Sequence, residues 1–208
     1  KTVIFFVGFK SKLPIFFKKY HLYALIFNIF SLYLFSKMIE DVIDKELVTR
    51  MDIWINSKIV LLWTPLLNKI MIFITNIVSL INLFILSIIL LVILLYKKKW
   101  YHSLLLLFSM IGGLLFEFLT KLIIHRERPE NALIEVSGYS FPSGHATMAI
   151  IFFSLLLYSF KDDIKKRIIK NFFIALNILF FVLVGFSRIY LNVHWFSDIL
   201  AGFSLGLF

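Results

Sequence analysis

Long apolar runs separated by short polar segments dominate this chain. Several runs reach about 18 residues, the length that a helix needs to cross a hydrocarbon core of ~30 Å. The pattern therefore predicts an all-α protein, a bundle of six membrane-spanning helices that forms one domain over residues 1–208. The predicted spans are residues 22–38, 70–96, 100–124, 143–160, 171–186 and 194 onward.

The apolar stretch over residues 59–96 is too long for one span of ~20 residues, and Thr64-Pro65 interrupts it. We predict that residues 54–67 form an amphipathic helix in the membrane interface before the second span. Its two tryptophans, Trp54 and Trp63, favour the level of the lipid headgroups. Residues 41–58 are predicted to be a polar segment on the outer side.

The net charge of +10 could indicate nucleic-acid binding, but its distribution follows the predicted spans. Basic residues cluster in every second connecting segment, as the positive-inside rule requires. These residues are Lys1, Lys10, Lys12, Lys18, Lys19, Lys97, Lys98, Lys99, Lys161, Lys165, Lys166, Arg167 and Lys170. We therefore expect both termini in the cytoplasm and no nucleic-acid partner. A composition rich in Ile, Lys, Phe and Asn suggests an AT-rich bacterial source, so we expect the protein in a bacterial cell membrane.

Polar residues that could bind an anion or take part in catalysis collect on the predicted outer side. Lys121 and Arg128 flank the end of the third span, where both cations could hold one anion. The alternative is that basic residues at a membrane boundary simply reach for water. We interpret the neighbouring His125 and Arg126 as solvated loop residues, although contact with a second phosphate is conceivable.

A second group opens the fourth span with the sequence Pro142-Ser143-Gly144-His145. A helix start presents unpaired N–H groups to an anion, and glycine lets the backbone approach a ligand closely. Ser143 could cap the helix or contact an oxyanion, and His145 could bring a proton to the same place. A plain serine cap beside an interfacial histidine would give the same pattern.

The third group is Ser187-Arg188 followed by His194 and Asp198. His194 and Asp198 are four residues apart, so on a helix they share a face. The carboxylate could then fix the imidazole tautomer and leave the other ring nitrogen free to act as a nucleophile. A structural pair between helices is the alternative. Arg188 adds a further cation suited to phosphate.

These three groups resemble the signature of the type 2 phosphatidic acid phosphatase and vanadium haloperoxidase superfamily. That signature is Lys-x6-Arg-Pro, then Pro-Ser-Gly-His, then Ser-Arg-x5-His-x3-Asp. The chain matches every position in order, over a region that runs roughly from residue 121 to residue 206. The resemblance implies a six-span membrane enzyme of the lipid phosphatase type.

By this resemblance, His194 attacks phosphorus and forms a phosphohistidine, while Asp198 holds its ring and His145 protonates the leaving oxygen. The phosphoryl oxygens are held by the remaining signature residues, which are Lys121, Arg128, Ser143, Gly144 and Arg188. No metal and no cofactor are expected, because three fixed cations can neutralise the transferred group. Cysteine is absent, which excludes thiolate metal sites and disulfides.

Two further expectations concern residues outside the signature. Glu117 lies four residues before Lys121 and is predicted to orient it, although a packing carboxyl paired elsewhere is equally compatible with the spacing. Gly202 and Gly206 form a small-xxx-small step that predicts close packing of the sixth span.

The substrate is expected to be a membrane lipid phosphate, namely phosphatidylglycerophosphate, undecaprenyl pyrophosphate or phosphatidic acid. The sequence does not choose among them, and neither the monophosphate-versus-pyrophosphate preference nor the oligomeric state can be read from it. A haloperoxidase shares the motifs, but the haloperoxidases of this superfamily are soluble. The remaining alternative is a non-catalytic phospholipid-binding or transport protein that uses the same cationic pocket.

Overall fold

The computed structural model describes residues 15–45 and 47–208, with side chains from Leu22 onward. All regular secondary structure in the described chain is helical. Its elements are α1 (Ile15–Ile43), α2 (Leu47–Ile59), a short 3-10 helix (Val60–Leu62), α3 (Pro65–Ile77), α4 (Leu80–Tyr96), α5 (Trp100–Ile124), α6 (Gly144–Phe160), α7 (Arg167–Tyr190) and α8 (Phe196–Leu207). The basic side chains predicted on the cytoplasmic N-terminus (Lys1, Lys10, Lys12, Lys18 and Lys19) lie outside the described ones.

Three helices within the described chain are long and apolar enough to cross a membrane: Leu22–Ile43, Trp100–Ile124 and Arg167–Tyr190. A bent pair of helices over residues 47–77 would make a fourth, and α4, α6 and α8 are shorter apolar helices. The protein is therefore an all-α membrane protein. Helix α5 has the bounds of the third predicted span. Helices α1 and α7 extend beyond the first and fifth predicted spans at both ends.

The predictions between residues 54 and 96 are wrong in detail. Residues 54–67 do not form one helix, because α2 ends in the 3-10 turn and α3 starts at Pro65 after a bend of 119°. Thr64 caps α3 by accepting from the N–H of Leu67. The predicted second span over residues 70–96 is also two helices, since Ser79 accepts from the N–H of Asn82 and starts α4. Each hydroxyl satisfies an N–H group at the start of the new helix, which favours a helix boundary at that place.

Helix α6 is the centre of the bundle, and its residues from Ala146 to Phe153 are all buried. It packs against α4, α5, α7 and α8. The close packing predicted for the last helix is confirmed, because a Cβ at Gly202 would lie 2.7 Å from the carbonyl oxygen of Ser143. A Cβ at Gly206 would lie equally close, 2.7 Å, to the carbonyl oxygen of Thr147. These contacts hold the second half of α8 against the first turns of α6.

Candidate functional site

The end of α5, the start of α6 and the turn between α7 and α8 meet at one end of the bundle. The backbone N–H of Ser143 donates to the carbonyl oxygen of Asp198 at 3.0 Å, which joins the starts of α6 and α8. The N–H of Leu133 donates to the carbonyl oxygen of Leu191 at 3.0 Å and ties the 125–143 segment to the turn after α7. All three predicted motifs therefore face one another.

The turn that carries His194 is built around Asn192. Asn192 has a positive φ of 59°, a conformation that asparagine tolerates better than most residues. Its side-chain amide donates to the carbonyl oxygen of Glu130 at 2.6 Å, and it also contacts Asn56 from α2. His194 precedes α8, so the prediction that it lies on the same helix as Asp198 is wrong. The pair still forms, with 3.3 Å between Nδ1 and Oδ2.

The surroundings of His194 define the state of its ring. Nδ1 faces the Asp198 carboxylate, while Nε2 lies 3.2 Å from Nη1 of Arg128. A guanidinium can only donate, so Nε2 carries the lone pair and Nδ1 carries the proton. Burial lowers the pKa of His194 from 6.5 to about 4, although Asp198 acts in the opposite direction. The imidazole is therefore neutral near pH 7, as a nucleophile must be.

Arg128 is held by backbone carbonyl oxygens of the segments that follow α5 and α7. Its Nε donates to the carbonyl oxygen of Gly138 at 2.9 Å, and Nη1 donates to that of Val193 at 2.6 Å. Nη2 donates more weakly to the carbonyl oxygen of Tyr139 at 3.2 Å. Burial lowers the pKa of the Arg128 guanidinium from its usual value. A cation fixed in this way in a partly dehydrated place is suited to bind an anion.

Arg188 approaches from α7 and is 3% exposed. Its Nη1 donates to the hydroxyl of Thr75 at 2.7 Å, while its buried Nε has no hydrogen-bond partner among the described residues. Buried donors are normally paired, so an unpaired guanidinium N–H indicates a place for an acceptor. Thr75 on α3 is a partner of Arg188 that the sequence reasoning missed, because nothing in its local pattern indicates a distant arginine.

Lys121 forms an ion pair with Glu117, with 2.6 Å between Nζ and Oε1. The same Oε1 would lie 2.7 Å from a Cβ at Gly144, so the missing side chain of this glycine makes room for the carboxylate. The contact predicted from the spacing is present; the functional role of Glu117 stays a prediction. The absence of a side chain at Gly144, at the start of α6, therefore leaves room for the carboxylate that contacts Lys121.

His145 is partly buried in the first turn of α6. Its ring is near enough to Lys121, Arg128, Arg188 and His194 for the charges of these groups to act on it. Ser143 is fully buried, and its hydroxyl accepts from the N–H of a residue in the first turn of α6 at 3.5 Å. The structure thus shows Ser143 as the helix cap, and its predicted contact with phosphate stays a prediction.

The interpretation of Arg126 as a solvated loop residue is wrong. Its side chain is only 11% exposed and lies between two carboxylates, 2.6 Å from Asp198 and 2.7 Å from Asp52. The sequence reasoning missed Asp52, which lies in a segment that it assigned to polar surface. His125 is exposed, as predicted, and packs edge-on against Tyr139.

A neutral, carboxylate-backed imidazole beside Arg128, with Arg188 and Lys121 near the neighbouring His145, is an arrangement suited to phosphoryl transfer. The guanidinium and ammonium groups can hold the oxygens of a tetrahedral anion, and the imidazole can attack its phosphorus. No group of three or more His, Asp or Glu side chains within the described part of the chain converges as metal ligands would. The fold and the site together define a membrane-embedded phosphatase.

Comparisons with known proteins agree with this class. Residues 102–208 match the PAP2 superfamily. The chain is 36% identical over 181 residues to phosphatidylglycerophosphatase B of Bacillus subtilis, covering 85% of this chain and 88% of that protein. It is 31% identical over 125 residues to an undecaprenyl-diphosphatase of Sulfolobus acidocaldarius, covering 55% of this chain and 54% of the relative.

Two solved structures share the architecture. The crystal structure of the PAP2-type phosphatidylglycerolphosphate phosphatase from Bacillus subtilis superposes with a TM-score of 0.75 at 31% identity, covering 88% of this chain and 90% of that one. Aquifex aeolicus LpxE superposes with a TM-score of 0.60 at 25% identity, covering 78% and 91%. The chain belongs to the PAP2 superfamily and is a lipid phosphatase, a phosphoric ester hydrolase of the membrane.

Proposed function

We propose that the chain removes phosphate from a membrane lipid through a covalent phosphohistidine at His194. The observation that carries the proposal is the state of that ring. Its Nδ1 is held by Asp198, and its Nε2 lone pair faces Arg128 at 3.2 Å. An imidazole with a fixed tautomer beside a phosphate-binding cation is positioned to attack phosphorus.

In the first step Nε2 of His194 forms a bond to phosphorus, and the bond between phosphorus and the lipid oxygen breaks with its electron pair on that oxygen. His145 supplies the proton that makes the leaving group an alcohol or, for a pyrophosphate, a phosphate. In the second step water attacks phosphorus, His145 takes its proton, and the N–P bond breaks to release phosphate. The two steps use one histidine as acid and then as base.

The three cations stabilise the transferred phosphoryl group without a metal. Lys121, Arg128 and Arg188 all interact electrostatically with His145, which supports their converging on a single anion. The unpartnered Nε of Arg188 supports a phosphoryl oxygen as its acceptor. Cations around His145 oppose a further positive charge on its ring, so the bound phosphate would be what keeps the transferable proton there.

We further propose six spans, with both termini in the cytoplasm and the site at the outer face. The basic clusters that the positive-inside rule uses lie at the ends of α5 and α6 remote from the site. There Lys99 forms an ion pair with Asp163 at 2.8 Å, which joins the start of α5 to the segment after α6. In this arrangement α4, α6 and α8 would be short spans, and α2 with α3 would line the outer side.

The lipid is proposed to be phosphatidylglycerophosphate, undecaprenyl pyrophosphate or phosphatidic acid. The Bacillus relative and the Sulfolobus relative bear names for a phosphomonoester and a diphosphate substrate respectively. Coverage is much broader for the first relative, which makes phosphatidylglycerophosphate the first lipid to test. A panel of the three lipids in detergent micelles, compared by kcat/KM, distinguishes them directly.

The decisive experiment measures phosphate release by wild type and by His194→Ala, with and without EDTA. We expect release that survives EDTA and disappears in the variant, together with a trapped acid-labile phosphoenzyme in wild type only. His102→Ala is the matched control, because His102 packs against Tyr158 at the other end of α5. Full activity in His194→Ala would refute the mechanism. Lipid binding without release in wild type would favour the non-catalytic binding or transport protein.

A further inference from the structure

A chain of buried charges connects α2 to the nucleophile, and neither the signature nor the mechanism above uses it. Asp198 contacts His194 through Oδ2 and Arg126 through Oδ1. The other arm of Arg126 contacts Asp52, with 2.7 Å between Nη2 and Oδ2. The side chains of Asp52 and Asp198 are both 0% exposed, so bulk water does not screen these contacts.

Asp52 on α2 is held in place by hydrogen bonds with the first turn of α8. Its Oδ1 accepts from the backbone N–H of Ser197 at 2.9 Å, and its Oδ2 accepts from the hydroxyl of Ser197 at 2.5 Å. The first N–H groups of a helix lack partners within the helix, so a carboxylate from α2 satisfies one of them and also meets the favourable end of the helix dipole. The same helix start carries Asp198.

Arg126 is fixed in three directions. One arm of its guanidinium contacts both Asp198 and Ser197, each at 2.6 Å, while the second arm contacts Asp52. The guanidinium also lies over the ring of Trp195, with 5.4 Å from Cζ to the ring centroid. A planar group with a rigid fork can bridge two carboxylates in this way, whereas an ammonium cannot.

We propose that Asp52 is a positioning residue that acts through Arg126 on the Asp198–His194 pair. The proposal rests on the function proposed above. Arg126 holds one oxygen of Asp198 so that the other stays aimed at Nδ1. Asp52 balances the charge of Arg126, which would otherwise weaken the hold of Asp198 on an imidazole that becomes positive when Nε2 bonds to phosphorus. Asp52 touches neither substrate nor the reacting atoms.

The balance of charges explains why two carboxylates are needed. With both present, Asp52, Arg126 and Asp198 sum to one negative charge, which favours the positive phosphoimidazolium. In Asp52→Asn the sum is zero, and the cation acts fully on Asp198. The substitution should therefore slow the chemical step more than it weakens substrate binding, because substrate does not contact Asp52.

The test is a double-mutant cycle on full-length protein in detergent, with phosphatidylglycerophosphate as the substrate. It comprises wild type, Asp52→Asn, Arg126→Lys and the double variant. We expect Asp52→Asn to lower kcat by about 10- to 100-fold and to change KM by less than about 2-fold. We expect Arg126→Lys to lower kcat by a similar factor. In the lysine background Asp52→Asn should reduce kcat by less than about 3-fold further, because the link is already broken.

Asp41→Asn is the matched control. Asp41 is also a buried carboxylate in an ion pair, 3.0 Å from Lys37, and among the described residues its carboxylate contacts no member of the site. It should keep the wild-type kcat. The proposal would be overturned if the loss of kcat in the double variant equals the product of the losses in the two single variants. A wild-type kcat in Asp52→Asn would also overturn it. If Asp52→Asn does not purify as a folded protein, Arg126→Lys alone decides, since a wild-type kcat there overturns the link.

The same series separates this proposal from the proposed function. Wild type that releases no phosphate from the lipid panel, or His194→Ala that releases it at the wild-type rate, contradicts the function itself. Normal behaviour of those two proteins combined with an unaffected Asp52→Asn contradicts only the positioning role.

Discussion

The ion pair between Glu117 and Lys121 is a sensitive point of the site. The change is Glu117→Gln, which keeps the size of the side chain and removes its charge. In the structure the carboxylate lies 2.6 Å from the ammonium and fills the space beside Gly144. Glutamine would fit the same space, so the fold should survive while the ammonium loses its fixed partner.

The size of the effect follows from the contact. A hydrogen bond to a charged group contributes roughly 1.5–3 kcal/mol when buried. Lys121 is 22% exposed, so water replaces part of this and roughly 1–2 kcal/mol is the better figure. If that energy serves to hold Nζ where the phosphoryl oxygen binds, kcat/KM should fall by about 5- to 30-fold, at about 1.4 kcal/mol for each factor of ten.

The assay is phosphate release from short-chain phosphatidic acid at several concentrations, with the melting temperature measured in the same detergent. Asp41→Asn is again the control, because Asp41 and Lys37 form an ion pair with the same i,i+4 separation, 3.0 Å between their charged atoms. The reasoning is refuted if Glu117→Gln retains the kcat/KM of wild type. A fall in melting temperature with unchanged kcat/KM would identify Glu117 as a packing carboxyl only.

The remaining predictions concern other contacts of the same site. Thr75→Val should lower kcat/KM by about 10-fold, since the hydroxyl that fixes Arg188 is lost while the shape is kept. The pH profile of kcat/KM should stay high down to about pH 5, because the lowered pKa of His194, about 4, keeps its ring neutral above that value. Activity should fall as the pH drops through this pKa. A midpoint near 6.5 would contradict the burial argument. Gly202→Ala should lower the melting temperature, because the added Cβ would lie 2.7 Å from a backbone carbonyl and overpacking costs about 1–3 kcal/mol. Vanadate should inhibit and EDTA should not, as measured by phosphate release.

The helical architecture and the grouping of the motifs could be predicted from the sequence, because both depend on local patterns. The third span was predicted to the residue, since polar segments bound it on each side. The division between α3 and α4 was not predicted. A single serine at position 79 with a favourable position for capping starts α4, and hydropathy over a long window does not detect such a residue.

The partners of the signature residues could not be predicted. Thr75 and Asp52 each lie far along the chain from the arginines that they contact, and a local pattern carries no information about such a pairing. Sequence reasoning assigned Asp52 and Arg126 to polar surface because charged residues near a membrane boundary usually are exposed. The packing of α2 against the start of α8 reverses that expectation by burying both side chains.

This packing also explains how the site can be both rigid and highly charged. Each buried carboxylate has a cation beside it: Asp198 and Asp52 share Arg126, and Glu117 has Lys121. Arg128 and Arg188, in contrast, are held mainly by neutral oxygen atoms of the backbone and of a hydroxyl. Neutral partners fix a guanidinium without cancelling its charge. We therefore expect Arg128 and Arg188 to keep their full attraction for phosphate, while Arg126 holds Asp198 and the start of α8 in place.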